Sequence, residues 1–330
     1  MILVTGAGTQ LGRALIEFWT EKGQQLRPFD LLDRPWFDRH QSVIGDLLDP
    51  AVLRKAVAGA EVVVHLAEAR PEGLFIEQHG PVGYDKQMFR TNLEATRLLA
   101  QAARDAGVRL FLFASTSYVY GPPPAACPCT EEAPTQPRGP YGRSKLEAEH
   151  VLFDMHKAGE IEPVVLRLAP LLGPYFCDNR QLHRICRAAG KNRPVMLVGD
   201  PNALRHFVHV RDVVDLLDRC LSRPQAVGRV YNVAGRAAAT AGDLARVILD
   251  TLGSRSMIVP LPKSIFPVAN KLAWRMGEPL VIPELEADAY AHTCFSIERA
   301  VSELGWRPKY DTVQALTETA AWYRDHLKNA

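Results

Sequence analysis

The sequence lacks any run of like charge. Its 39 Lys and Arg residues are nearly balanced by 37 Asp and Glu, leaving a formal net charge of +2 over 330 residues. Without a basic arm or stripe, nucleic acid is not an expected partner. The chain also lacks an apolar stretch approaching the roughly 20 residues needed to cross a bilayer, so stable membrane insertion is not expected. No basic segment or cleavage site stands before the apolar Ile2-Leu3-Val4, which reads as the absence of an export signal. Cysteine is sparse: Cys127, Cys129, Cys177, Cys186, Cys220 and Cys294 are scattered without the spacing of a disulfide framework. That predicts a reducing, cytoplasmic location. Cys127-Pro128-Cys129 is at most half of a metal or redox motif, and no second ligand pair accompanies it. Free loop thiols are expected there, and no metal.

What is present is apolar periodicity. With 47% hydrophobic residues, the chain can bury a core large enough for one big domain and a smaller one. Short apolar runs at 2–5, 25–29, 61–67, 110–114 and 163–169 alternate with helix-spaced patterns at 11–19, 51–58, 91–106 and 141–157. Such alternation predicts an α/β fold, a doubly wound parallel sheet with helices on both faces. In that architecture ligands lie beyond the carboxyl ends of the strands, where strand order reverses. Gly6-Ala7-Gly8, Asp30, Ala67-Glu68 and Ser115-Thr116 all fall at such ends.

The first of these is a glycine-rich turn, Gly6-Ala7-Gly8-Thr9-Gln10-Leu11-Gly12, between a strand and a helix. Glycines there let a dinucleotide pyrophosphate approach backbone amides at a helix N-terminus. The spacing is irregular, because Thr9 stands at the middle position of a G-x-x-G-x-x-G frame. Asp30, 18 residues after Gly12, suits the two hydroxyls of an adenosine ribose and repels a 2′-phosphate. NAD is therefore expected over NADP, although Arg34 lies close by. The competing structural account makes Asp30 and Asp33 loop carboxylates facing Arg27 and Arg34. Asp46 and Leu47, after the third strand, are placed to hold the adenine amino group and ring face.

The second motif pair carries the chemistry. Ser115-Thr116-Ser117-Tyr118-Val119-Tyr120-Gly121 closes a buried strand, and Pro140-Tyr141-Gly142-Arg143-Ser144-Lys145 opens a helix about twenty residues later. Helical spacing of four puts Tyr141 and Lys145 on one face. A phenol titrates near 10 when unperturbed and needs a nearby cation to act as a base around neutrality. A strand-end hydroxyl, a tyrosine and a lysine together can move a proton on and off a substrate oxygen.

With these motifs in order, and with His65-Leu66-Ala67, Asn92, the 205–214 segment, Tyr231-Asn232-Val233 and Leu304-Gly305-Trp306, the chain resembles the extended short-chain dehydrogenase/reductase family of NAD-dependent epimerases and dehydratases. The resemblance runs over nearly the whole length. It implies a Rossmann-type NAD-binding domain over 1–170, rejoined by 205–235, and a smaller substrate-binding domain over 171–204 and 236–330. It implies a catalytic set of Thr116, Tyr141 and Lys145, with Lys145 also on the nicotinamide ribose. Gly6, Gly8, Thr9, Gln10, Leu11, Gly12, Asp30, Asp46, Leu47, Leu66, Ala67 and Asn92 complete the implied cofactor site. In the family, helices equivalent to 91–106 and 141–157 form a four-helix dimer interface, so a homodimer is expected.

Departures from the family narrow the reaction. Dehydratases of the family follow the Ser-Thr pair with Asp-Glu, where this chain has Ser117 and Tyr118, so dehydration by that route is not expected. Nucleotide-sugar members often carry an asparagine where this chain has Pro170, which leaves Asn179, Arg180 and Arg205 as anchors for an anionic substrate. Glu68 replaces a small residue and is read either as a substrate or proton-handling group or, preferentially, as turned to solvent or paired with Arg70. His65 is read as a packed strand residue. The apolar segment 258–278 is read as a wall over the site. The expected activity is NAD-dependent oxidation or epimerisation at a secondary alcohol of a sugar or nucleotide sugar. A sterol- or isoprenoid-like alcohol is the alternative, and a non-catalytic NAD-binding scaffold a third, against which the retained Thr116, Tyr141 and Lys145 argue.

Overall fold

The computed structural model describes residues 1–69, 84–121, 127–175, 180–266, 268–269, 271 and 290–326, with Tyr84, Arg180 and Gln181 given by backbone alone. Six early strands, β1 (Ile2–Thr5), β2 (Leu26–Asp30), β3 (Val43–Ile44), β4 (Val62–His65), β5 (Leu110–Thr116) and β6 (Glu162–Leu168), join a late strand, Arg229–Val233, in one sheet. From one edge the order is Arg229–Val233, β6, β5, β4, β1, β2, β3, and every pair is parallel. The chain winds outward in both directions from β1, so strand order reverses between β1 and β4. That is the point where a crevice opens beyond the strand ends.

Both sheet faces are covered, which is why the strands read as continuous apolar runs rather than as alternating ones. Ile2 and Val4 pack into one core with Leu11, Leu15, Trp19, Val213 and Leu217. Leu3 points the other way, into a core with Leu53, Leu99, Ala148 and Leu152. The helices Gln10–Glu21 and Val210–Cys220 thus lie on one face, and Pro50–Val57, Ala95–Asp105 and Pro140–Lys157 on the other. The patterned segment 91–106 does not begin as an α-helix: Phe89–Glu94 form a π-helical turn, and regular α-helix starts at Ala95. Inserted π turns often mark functional positions, and this one carries Asn92.

A third apolar cluster lies outside the sheet. It joins the helices Arg180–Gly190, Ala241–Leu252 and Thr312–His326 through Leu182, Leu244, Ile248, Leu316 and Tyr323. Beside it, Val195–Val198 and Ile258–Leu261 pair in parallel. Ile258–Leu261 is therefore a strand, and Phe266 is fully buried against Tyr290. Within the expected wall segment, Pro267, Leu272, Trp274, Arg275 and Met276 lie outside the described residues.

The expectation of free thiols throughout is corrected at one place. Cys127 is bonded to Cys294, 167 residues away, with Cα atoms 5.6 Å apart. Backbone pairing brings the two segments together, since Cys129 N–H donates to Cys294 O at 2.8 Å and Ser296 N–H donates to Cys129 O at 2.8 Å. Cys129, Cys186 and Cys220 are free and buried. Burial pushes the Cys129 thiol up to about 11 and those of Cys186 and Cys220 to about 12. Such thiols are inert at neutral pH.

Candidate active site

The glycine turn is shaped by close backbone approach. Gly6 adopts φ +69°, and a Cβ there would lie 2.5 Å from the Ala67 amide nitrogen at the end of β4. A Cβ on Gly12 would lie 2.2 Å from Gly6 O. Both positions therefore exclude a side chain. Thr9, the irregular member, is the N-cap of the first helix: its Oγ1 accepts the Gly12 N–H at 3.1 Å and donates to Gly6 O at 2.7 Å. A threonine satisfies an orphan amide there, which glycine cannot do. Gln10 donates its side-chain amide to Gly173 O and Pro174 O at 3.2 and 2.8 Å, tying the turn to the loop after β6. Leu11 is buried in the core.

Asp30 ends β2 and accepts the Gly8 N–H at 2.8 Å. The alternative pairing with Arg27 is not made, because Arg27 donates instead to the carbonyls of Lys55, Ala56 and Ala58. The Arg34 guanidinium lies beside Asp30 and Gly8, with a buried Nε. Asp46 is exposed and accepts the Leu48 N–H at 2.9 Å, while Leu47 is buried. A helix N-terminus, a side-chain-free turn pressed against β4 and a strand-end carboxylate beside it suit a dinucleotide.

On the other side of β4, the Pro140–Lys157 helix presents Tyr141, Ser144, Lys145, Ala148 and Glu149 as its buried face. Pro140 at its first turn is pre-set for helix and has no N–H to leave unpaired. Lys145 is 1% exposed, its Nζ lying 4.5 Å over the Phe113 ring. Tyr141 packs edge-on against Tyr118 at 6.1 Å. Thr116 ends β5, is buried, and accepts the Tyr118 N–H on Oγ1 at 3.3 Å; Ser117, next along, is also buried.

Glu68 is turned away from solvent, against one half of the preferred expectation; Arg70, the other half, lies outside the described residues. The Glu68 Oε2 accepts the Tyr141 O–H at 2.8 Å and lies 3.3 Å from Lys145 Nζ. Asn92 is buried and links the segment after β4 to the Pro140–Lys157 helix. Its Oδ1 accepts the Ala69 N–H at 2.7 Å, and its Nδ2 reaches Ala69 O and Ser144 Oγ, each at 3.0 Å. His65 is fully buried between Thr5 Oγ1 and Thr96 Oγ1, at 2.6 and 2.9 Å. Burial, with Lys145 adding to it, pushes its pKa down to about 3, so the ring is neutral, as expected of a packed strand residue.

Of the remaining predicted anchors, Asn179 and the side chain of Arg180 lie outside the described residues. Arg205 donates to Leu204 O and Ala291 O at 2.9 and 2.6 Å, so it braces backbone in this state. His206 is buried, stacked on Phe295 and bonded to Gly235 O. Among the described residues no His, Cys, Asp and Glu cluster suited to a metal occurs. No described helix is long and apolar enough to cross a membrane.

One buried group escaped sequence reading. Arg167, the penultimate residue of β6, makes a bidentate pair with Glu149, Nη2 to Oε2 at 2.7 Å and Nε to both oxygens at 3.2 Å. Ser115 Oγ also donates to Glu149 Oε1. Burial opposes the Arg167 charge, but Glu149 and Tyr120 outweigh it and hold the guanidinium's pKa above its ordinary value. Tyr120, pushed up to about 12 chiefly by burial, donates to Asn232 Oδ1 at 2.6 Å. The available signal was a charged residue inside an apolar strand, together with a glutamate four residues after Lys145.

The fold has counterparts among known proteins. Residues 2–234 match the model of the NAD dependent epimerase/dehydratase family. A dTDP-glucose 4,6-dehydratase from Streptomyces antibioticus is 27% identical over 342 residues, covering 98% of this chain and 92% of that protein. A short-chain dehydrogenase/reductase superfamily protein from Agrobacterium tumefaciens, solved with bound NAD, is 28% identical with a TM-score of 0.76, covering 98% of this chain and 97% of that one. MoeE5, solved with UDP-glucuronic acid and NAD, is 25% identical with a TM-score of 0.78, covering 99% of each chain.

Proposed function

The chain belongs to the NAD dependent epimerase/dehydratase family, and from that premise we propose that it oxidises a secondary alcohol of a nucleotide sugar, with Tyr141 handling the hydroxyl proton. It is an NAD-dependent enzyme of the extended short-chain dehydrogenase/reductase type. When bound, NAD supplies a two-electron hydride acceptor at the substrate carbon. The observation that carries the reading is the arrangement of Tyr141, Lys145 and Thr116 at the same carboxyl edge of the sheet as the glycine turn and Asp30.

The chain's own residues divide the work. The turn amides and the helix beginning at Gln10 bind the pyrophosphate, and Asp30 orients the adenosine ribose while repelling a 2′-phosphate. Lys145 holds the nicotinamide ribose, Tyr141 moves the proton and Thr116 steadies the substrate oxygen. If the ketone is held, turned and reduced again, the product is an epimer, and NAD ends unchanged. Ser117 and Tyr118, in place of the family's Asp-Glu pair, favour epimerisation or dehydrogenation over loss of water. The smaller lobe, 171–204 and 236–330, takes the nucleotide end. The outward faces of the Ala95–Asp105 and Pro140–Lys157 helices pair two copies as a homodimer.

The nucleotide-sugar relatives favour this reading over an apolar alcohol. Incubation with NAD and a panel of UDP- and dTDP-hexoses should interconvert one epimer pair or release NADH in step with product. Tyr141→Phe should lower the rate by about a thousandfold, within the range for general acid–base groups, and leave NAD binding unchanged. An unaltered rate would remove the Tyr141 assignment.

A further inference from the structure

The resting site is organised around a carboxylate that neither the glycine turn nor the Tyr141–Lys145 pair requires. Glu68 Oε2 accepts the Tyr141 O–H at 2.8 Å and lies 3.3 Å from Lys145 Nζ, and the glutamate side chain is only 8% exposed. Its position is held from the next residue. Asn92 takes both backbone polar groups of Ala69 and bonds Ser144, on the helix that carries Tyr141 and Lys145. Other described titratable neighbours are Tyr118, edge-on against Tyr141, and His65 on β4, which is neutral and held by Thr5 and Thr96.

This arrangement constrains what Tyr141 can do. A phenol that donates to a carboxylate is carrying its own proton, and a buried carboxylate beside a buried ammonium leaves the lysine's charge balanced. Tyr141 therefore cannot accept a substrate proton unless it releases the one it holds. The acceptor already in contact is Glu68.

We propose that Glu68 is the terminal proton acceptor of the site. Resting on the hydride-transfer function proposed above, the step balances as follows. The alcohol O–H bond breaks and its proton bonds to Tyr141 Oη, while the Tyr141 O–H bond breaks and that proton bonds to Glu68 Oε2. The carbinol C–H electron pair leaves with its hydrogen to the family's NAD, so the alcohol carbon is oxidised by two electrons and the cofactor reduced by two. On re-reduction the same protons return. Lys145 stays charged throughout and holds both oxygens in register.

The test is the pH dependence of kcat/KM for the native enzyme, Glu68→Gln and Glu68→Asp, with tyrosine ultraviolet titration alongside and Tyr141→Phe as its blank. The native rate should stay flat from neutrality down into the carboxylate range. In Glu68→Gln the phenol must ionise without that carboxylate, so the acid limb moves up: the rate falls about tenfold per pH unit, reaches a loss of about a hundredfold near pH 6, and recovers near pH 9. Glu68→Asp should keep the acid limb in the carboxylate range with a lower plateau. In the titration, the tyrosine missing from Tyr141→Phe should ionise at lower pH in Glu68→Gln than in the native protein.

An unchanged profile in Glu68→Gln overturns the proposal, as does an acid limb displaced to lower pH, which would make Glu68 only a restraint on Tyr141. If Glu68→Gln does not fold, Glu68→Asp decides, and an acid limb outside the carboxylate range overturns it. A native protein that turns over no nucleotide sugar removes the proposed function instead. The tyrosine titration then still tests the Tyr141–Glu68 coupling, and an unmoved Tyr141 midpoint overturns it.

Discussion

Lys145 and Glu149 are one helical turn apart on the same buried face, and each meets an opposite charge there. Glu149 meets Arg167, a guanidinium that does not deprotonate in proteins, in a planar two-pronged contact completed by Ser115. Lys145 meets Glu68, whose same oxygen also accepts a phenol proton. The partner of Glu149 is a guanidinium that keeps its proton. Glu68 also meets a phenol, which carries a transferable proton. Burial and ion pairing alone therefore do not distinguish a structural charge from a reactive one; the titratability of the partner does.

Breaking the structural pair should have the largest effect on stability. Glu149→Gln leaves the Arg167 charge buried with half its partner, at a cost of about 3 to 5 kcal/mol. Urea denaturation would register it, while the acid limb of the pH–rate profile should stay in place. Glu68→Gln should show the reverse. Next comes the far end of the same polar network, where Asn232 bonds Tyr120, Cys129 O and Glu131. The Cys127–Cys294 bond fastens that loop, and Cys294→Ser should lower stability by about 2 to 4 kcal/mol under oxidising conditions, with no difference after reduction.

The smallest effect is the pH response of the reactive cluster's floor. His65 has a folded-state pKa of about 3, below its ordinary value of 6.5, so the folded protein binds fewer protons there than the unfolded chain. Its contribution is fully present above pH 6.5 and is lost as pH falls toward 3, by about 1.4 kcal/mol per unit. Denaturant midpoints at pH 7 and about pH 5.5 should show that slope, and His65→Gln should flatten it. A slope that survives in His65→Gln would shift the cause to His209, whose pKa burial lowers to about 4.

Much of this layout was legible in the chain. Continuous apolar runs marked strands buried on both faces, and the glycines, Asp30, Thr116, Tyr141 and Lys145 fell at the predicted strand ends and helix turn. Thr9 looked like a defect in the turn and is its helix cap, a role that depends on backbone angles rather than spacing. That Glu68 turns away from water was not legible, because a loop carboxylate usually faces solvent, and only the helix packed across from it reveals the phenol. Cys127 and Cys294 are too far apart in sequence for spacing to pair them. Arg167 was passed over because its strand is otherwise apolar, which is the very reason its charge needed Glu149.

The last strand of the sheet, Arg229–Val233, comes from a segment that follows an excursion of about sixty residues after β6. The β6 edge therefore stays unpaired until that segment returns, and a chain cut anywhere before it presents a long apolar edge with free backbone donors and acceptors. During synthesis the sheet can only be sealed after residues 169–228, which supply part of the third apolar cluster, have emerged. Those residues run between two neighbouring strands, and the chain leaves the sheet a second time beyond Val233, from the edge strand that carries Tyr231 and Asn232.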